Sequence, residues 1–215
     1  PERVDIVKLP FDEALVERVS GLRRSSPRQE VALYVGNLLP HKNLPRLVVA
    51  FEASRFRQGG GRLLIVGGSP NEASVMSQGL TPAQRSCVDV RPRCPQAELD
   101  RLLATSLFLV QPSLEEGFGL PAWEALCCGV PVCVSDGGAL PEVVKGFSRP
   151  FPAADVEAMR YAIDHCAVEA HEEGAGRAAQ SALRTTAPRP RDLAQQFQGI
   201  VASALSEMSV RSRAY

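Results

Sequence analysis

Short apolar runs alternate along this chain with stretches whose apolar residues recur every three or four positions. Val31-Ala-Leu-Tyr-Val35, ended by Gly36-Asn37, reads as a buried strand. Asn43 is placed to cap a helix in which Leu44, Leu47, Val48 and Phe51 share one face. Pro45 falls in its first turn, where a missing N–H costs nothing. Gly59-Gly-Gly61 closes that unit, and Leu63-Leu-Ile-Val66 is a second strand, stopped by Gly67-Gly68. Residues 69–86 predict one or two short helices, with Thr81-Pro82 a helix start. Cys87-Val-Asp-Val90 is a brief strand, and Gln96 to Ala104 a helix with Leu99, Leu102 and Leu103 on one side. Leu107-Phe-Leu-Val110 is a further strand. A helix from Leu120 to Cys128 is stopped by Gly129 in the C′ position, with Pro131 just beyond. Val132-Cys-Val134 follows as a strand. After the turn Ser135-Asp-Gly-Gly138, Pro141 opens another helix. The last third is less patterned: Ala154 to Ala170 and Leu193 to Met208 predict helices, Glu172–Gly176 and Ala187–Arg191 loops.

The strands lack polar alternation, as expected where both faces of a sheet are covered. Strands alternating with helices then predict a doubly wound, Rossmann-like α/β domain with a parallel sheet. Such sheets bind ligands at the carboxyl ends of their strands. Three loops follow strands, Gly36–Asn43, Gln111–Leu120 and Ser135–Leu140, and are expected to gather at one rim.

Bulk properties narrow the classes. The 215 residues fit one domain of ordinary size with flanking segments. Lys+Arg and Asp+Glu both number 24, so net charge draws the chain to neither nucleic acid nor an anionic membrane. No apolar run approaches the roughly 20 residues that span a bilayer. The six cysteines form no C-x-x-C pair and the three histidines are scattered, which is poor spacing for zinc. Most of the cysteines sit in apolar runs as small hydrophobes, and reduced thiols suit a cytoplasmic protein.

The chemistry concentrates in Pro112-Ser-Leu-Glu-Glu-Gly-Phe-Gly-Leu-Pro-Ala-Trp-Glu-Ala-Leu-Cys-Cys-Gly-Val-Pro-Val132. A strand, a Gly-rich turn and a helix N-terminus in that order make an anion-binding corner. Glu116 and Glu124 flank it, which suits a ligand with hydroxyls at both ends and a diphosphate between them. A nucleotide sugar has that layout. The segment 112–144 closely resembles the signature of GT-B retaining glycosyltransferases of family 4, whose E-x7-E runs here from Glu116 to Glu124. Tyr34 to Phe51 resembles the same family's "VG-x-L-x-x-x-KN" loop. The resemblance covers roughly residues 30–165 in order and spacing.

That resemblance implies one half of a GT-B fold, the C-terminal donor-binding half, whose missing N-terminal partner holds the acceptor. Pro1 to Val19 resembles the family's connector, so residues 1–25 are expected to link the halves, 26–170 to form the nucleotide-sugar domain and 171–215 a C-terminal helical segment. Beginning at Pro1, the chain is expected to be a piece of a longer protein. By resemblance, Lys42 neutralises the diphosphate and Glu116 takes hydroxyls of the transferred sugar while steadying charge as the glycosidic bond breaks; these two are the expected catalytic residues. Glu124 is expected to accept from the ribose hydroxyls. The N–H groups of Gly117, Phe118, Gly119 and Leu120 are expected to face the diphosphate, with glycines at 117 and 119 for close approach. Asn37 joins the donor-binding set, although many relatives have Arg there; either His41 or an unassigned arginine compensates, or phosphate affinity is lower. Arg91 to Cys94 fall where the family's base-contacting loop lies. Trp123 is read as a packing residue. No D-x-D motif stands in a matching loop, so neither metal nor cofactor is expected, only a UDP-, GDP- or ADP-sugar substrate. Family members acting on lipid-linked acceptors imply peripheral association with the inner face of the membrane for the full-length protein.

Three other classes stay open at this point. One is a nucleotide-sugar binding module without transferase activity. Another is a glycosidase, which needs two carboxyls flanking a single bond roughly 5–10 Å apart. The last is a GT-B epimerase or phosphorylase, although these lack the E-G-F-G-L-P wording.

Overall fold

The computed structural model describes residues 10–172 and 174–188, together with Gln195 and Gln198. The first nine connector residues and nearly all of the expected helix from Leu193 to Met208 lie outside the described residues. Of the expected loop Ala187–Arg191 only the first two residues are described.

In chain order the elements are α1 (Glu13–Ser25), β1 (Gln29–Val35), α2 (Leu44–Glu52), α3 (Arg55–Gln58), β2 (Arg62–Val66), α4 (Pro70–Gly79), α5 (Pro82–Arg85) and β3 (Val88–Arg91). Then come α6 (Gln96–Thr105), β4 (Ser106–Gln111), α7 (Leu120–Cys127), β5 (Val132–Val134), α8 (Leu140–Val143), α9 (Val156–His171) and α10 (Ala175–Thr186). The five strands pair in parallel in the order β3-β2-β1-β4-β5. The chain therefore reverses its direction of travel across the sheet between β1 and β4, the switch point at which such folds bind ligands.

Each strand splits its apolar residues between two layers, because successive side chains point to opposite faces. Leu33, Leu64, Leu109 and Val134 pack under α1, α6, α7 and α10. Ala32, Tyr34, Ile65 and Phe108 pack under α2, α3 and α9. Phe108 and Leu109 are fully buried on opposite faces, each contributing about 1.5–3 kcal/mol of transfer free energy. The continuous apolar reading of the strands follows from this double covering.

Local signals set most boundaries. Ser69 and Glu72 form a capping box at α4, and Thr81 and Gln84 form one at α5, so residues 69–86 hold two short helices. Gly129 stands in the left-handed region after α7, as its C′ position demands.

Two expectations differ, at Asn43 and at Glu172–Gly176, while the segment expected as connector gains a helix. Asn43 precedes α2 without capping it: its backbone is left-handed, and its amide is used elsewhere. The segment expected as connector contains α1, whose Leu15, Val16 and Val19 are buried. Asp12 caps α1 by accepting from Leu15 N at 2.9 Å. The expected loop Glu172–Gly176 instead runs into α10, a helix to which the sequence pattern gave no element. Gly176 seats α10 against α7: a Cβ there would overlap the Gly129 carbonyl. That fit depends on two glycines 47 positions apart, which no local periodicity reports.

Candidate functional site

The loops after β1, β4 and β5 meet at one rim, and hydrogen bonds tie them together. Leu114 N donates to His41 O at 2.8 Å, joining the first two. Ser135 Oγ donates to Ser113 O at 2.6 Å, and Ala139 N to Glu116 O at 3.0 Å, joining the second and third. Asn43 Nδ2 donates to Pro112 O at 3.0 Å and to Ala153 O at 2.7 Å. Asn tolerates the φ of 61° that this position requires, and its buried amide closes the rim from beneath.

Two glycines make the clamp feasible. Gly138 has φ 60°, and a Cβ there would overlap the Glu116 backbone. Gly119, at φ 88°, precedes α7 with its missing Cβ facing Leu140. Around Gly117, by contrast, the space is open, so the protein itself does not require glycine there.

Lys42 ends a short 3-10 turn, Pro40–Lys42, that follows β1. It is only 7% exposed, and its Nζ lies 2.7 Å from Glu116 Oε2. Gln111 Nε2 and Ser113 Oγ also donate to that oxygen, each at 3.0 Å. Burial by itself pushes the Glu116 carboxyl up; the hydrogen bond and charge of Lys42, with the bonds from Ser113 and Gln111, outweigh it and hold the group below its ordinary value. Glu116 is therefore an ionised acceptor at neutral pH, unsuited to act as a general acid. Sequence reasoning missed Gln111 and Ser113 as partners of Glu116. The available signals were a polar residue ending an otherwise apolar strand and a serine three positions before the glutamate.

Among the described residues, the N–H groups of Gly117, Phe118, Gly119 and Leu120 donate to no protein acceptor. They form a run of free donors leading into the N-terminus of α7 beside the Lys42–Glu116 pair, an arrangement that attracts an anion. The Phe118 ring packs edge-on against Trp123, centroids 6.2 Å apart, and the Trp123 indole N–H donates to Pro10 O at 3.1 Å. Leu120 is half exposed at the rim.

Glu124 does not join the Lys42 pair. Its carboxyl makes no hydrogen bond among the described residues. Burial first, then the charges of Asp12 and Asp100, push it up. It lies on the α1–α6 side of α7, where Arg18 holds Asp100 at 2.6 Å. Asn37 sits at the exposed tip of the first loop, where its Oδ1 accepts from Leu39 N at 3.3 Å. Farther along the rim, a cleft of about 220 Å³ is lined by Val66, Arg91, Arg93, Cys94 and Glu98. Larger hollows of about 500 and 790 Å³ flank α9, away from the carboxyl ends of β1 and β4. Among the described residues no group of three or more His, Cys, Asp or Glu could hold a metal ion. All six thiols are unpaired, and burial pushes Cys127 up to about 11 and Cys128 to about 12, leaving them inert as nucleophiles. No described helix is long and apolar enough to cross a membrane.

Residues 22–167 match the family described as glycosyl transferases group 1. This chain belongs to that family. It is 35% identical over 136 residues to the O-antigen chain mannosyltransferase B of Escherichia coli, covering 61% of this chain and 35% of that protein. It is 32% identical over 162 residues to the D-inositol 3-phosphate glycosyltransferase of Segniliparus rotundus, covering 67% of this chain and 34% of that protein. The chain thus spans about a third of the length of these curated relatives. In structure it resembles Anabaena HepE in complex with UDP-glucose, with a TM-score of 0.71 at 19% identity over 90% of this chain and 56% of that one. At that identity the likeness speaks for the fold: the glycosyltransferase domain here has the Rossmann-like architecture of GT-B enzymes.

Proposed function

We propose that this chain is the donor-binding, C-terminal half of a retaining glycosyltransferase of family 4, one that moves a hexose from a nucleoside-diphosphate sugar to an acceptor hydroxyl. The observation that carries this reading is the meeting of Lys42 and Glu116 at the β1/β4 switch point, beside the free N–H groups of 117–120. An ammonium has three donors. One holds Glu116, and two remain for diphosphate oxygens, so Lys42 can bridge the leaving group and the carboxylate. The α7 amides supply the rest of the phosphate contacts. Glu116, held ionised, accepts from sugar hydroxyls and opposes the positive charge that grows on the ring as the glycosidic bond breaks. Glu124 takes the ribose hydroxyls, and the Arg91–Cys94 cleft takes the base. Retention of configuration rests on the family resemblance alone.

A second reading is a nucleotide-sugar binding module without transferase activity of its own. It is favoured by the site itself, because every donor contact named above comes from this one Rossmann-like domain. A low carboxyl at Glu116 and a raised one at Glu124 also satisfy part of the glycosidase pattern. Their separate surroundings, Lys42 for one and Asp12 with Asp100 for the other, speak against a pair flanking a single bond.

Calorimetry with UDP, GDP, ADP and their sugars tests the site and identifies the base. Lys42→Ala and Glu124→Ala are expected to weaken binding, and Glu116→Ala to impair transfer more than nucleotide affinity. Unchanged affinity in both the Lys42 and Glu124 variants refutes the site. Transfer by the chain joined to its natural upstream sequence separates enzyme from binding module.

A further inference from the structure

Glu116 is held at a single oxygen. Lys42 Nζ, Gln111 Nε2 and Ser113 Oγ all converge on Oε2, and among the described residues no donor reaches Oε1, which keeps solvent contact. Gln111 is 1% exposed at the end of β4, and Ser113 is fully buried in the loop that follows. Facing a carboxylate, the Gln111 amide must present its N–H side. Its own Oε1 is thereby turned away and buried without any partner. An orphaned buried acceptor lowers stability. The orphaned oxygen therefore offsets much of what the bond to the carboxylate contributes to stability.

We propose that Gln111, acting with Ser113, is a positioning residue: the two side chains and Lys42 pin Glu116 by Oε2, so that Oε1 alone is presented to the ligand. This rests on the reading that Glu116 accepts from a hydroxyl of the donor sugar. A carboxylate free to turn about its last torsion offers two equivalent oxygens. One pinned from three directions offers a single acceptor in a fixed direction, which a hydroxyl of only one configuration can meet. The pinning therefore acts on the sugar, not on the nucleotide.

Gln111→Met separates this role from a structural one, because it removes both the pinning N–H and the orphaned oxygen while keeping the volume. Calorimetry with nucleoside diphosphates and the matching sugars is expected to show unchanged diphosphate affinity. The extra affinity conferred by the sugar falls on the order of tenfold, the loss expected for one hydrogen bond to a charged group. Tm changes little, because the lost bond to the carboxylate and the removal of the orphaned oxygen oppose each other. In a Glu116→Gln background the same substitution adds no further loss. Ser113→Ala is expected to lower the sugar increment in the same way, with a fall in Tm since it removes no orphaned atom, and serves if the methionine variant fails to fold. A parallel loss of diphosphate and sugar affinity with a lowered Tm overturns the proposal, as does an equal loss in the Glu116→Gln background. If the wild type binds no nucleotide sugar, the functional reading fails by itself, and carbon NMR titration of the Glu116 carboxyl decides the positioning. Lys42, from the loop after β1, is the charge in contact with Glu116, and Tyr34 of β1 is the other titratable group that feels it. Removing either donor raises the carboxyl's pKa if the pinning is real; an unmoved titration overturns it.

Discussion

Lys42→Met is the most telling single change. Methionine retains the apolar stem of a side chain that is 7% exposed and removes only the ammonium. Glu116, whose side chain is 13% exposed, is then left buried without its cation. Breaking a buried pair from one side costs about 3–5 kcal/mol. Gln111 and Ser113 still donate to the carboxylate, which places this case near the lower end, at about 3 kcal/mol. For a domain of this size that corresponds to a fall in Tm of about 6–12 °C. The pH dependence carries the mechanism. In the wild type the folded-state carboxyl lies below its unfolded value, so the pair's stabilisation is fully present above the unfolded pKa and is lost as pH falls through the folded one. In the variant only Gln111 and Ser113 still oppose the effect of burial, so the folded pKa rises relative to the wild type. The charged form is then less stabilised at neutral pH, and the loss disappears as acid protonates the group. The difference between the two proteins is therefore largest near neutral pH and shrinks toward roughly pH 4, close to the carboxyl's intrinsic pKa. Urea titrations followed by circular dichroism across that range measure it. A stability difference that does not change with pH refutes the claim that Lys42 and Glu116 act on each other as charges.

Further expectations concern the neighbouring groups. Gly138→Ala forces a Cβ against the Glu116 backbone at a φ of 60°, so it destabilises by about 1–3 kcal/mol or more in denaturant melts. It also lowers sugar affinity by displacing the loop. Glu124→Gln has opposite effects on stability and binding. Burial and the charges of Asp12 and Asp100 raise the folded-state pKa, so the charged form is disfavoured above it. Removing the charge raises Tm at pH 8, and the gain fades as pH falls below the unfolded value. Nucleotide affinity measured by calorimetry drops in the same variant. A Tm gain that persists in acid contradicts the electrostatic cause.

Much of the fold was legible because its signals are local. Apolar runs between glycines marked the strands, and Thr81 and Gly129 marked helix ends through hydrogen bonds spanning three or four residues; the cap at Ser69 appeared only in the structure. Asn43 misled because the same amide that can cap a helix can instead bridge two carbonyls 69 and 110 positions away. α10 was missed although Ala179 and Leu183, four positions apart, mark its buried face; what the local pattern does not show is that its seat on α7 needs Gly129 and Gly176.

By itself, the sequence determined the alternation of strands and helices, the parallel sheet and the loops that gather at its rim. These follow from short-range periodicity and from the backbone demands of glycine and proline. Only the tertiary structure decided how the residues there pair. It put Lys42 on Glu116 across 74 positions, turned Glu124 toward Asp12 and Asp100, and recruited Gln111 and Ser113. A side chain's partner and its charge depend on which loops the sheet brings together and on how much water they exclude, and neither quantity is written in any short stretch of chain.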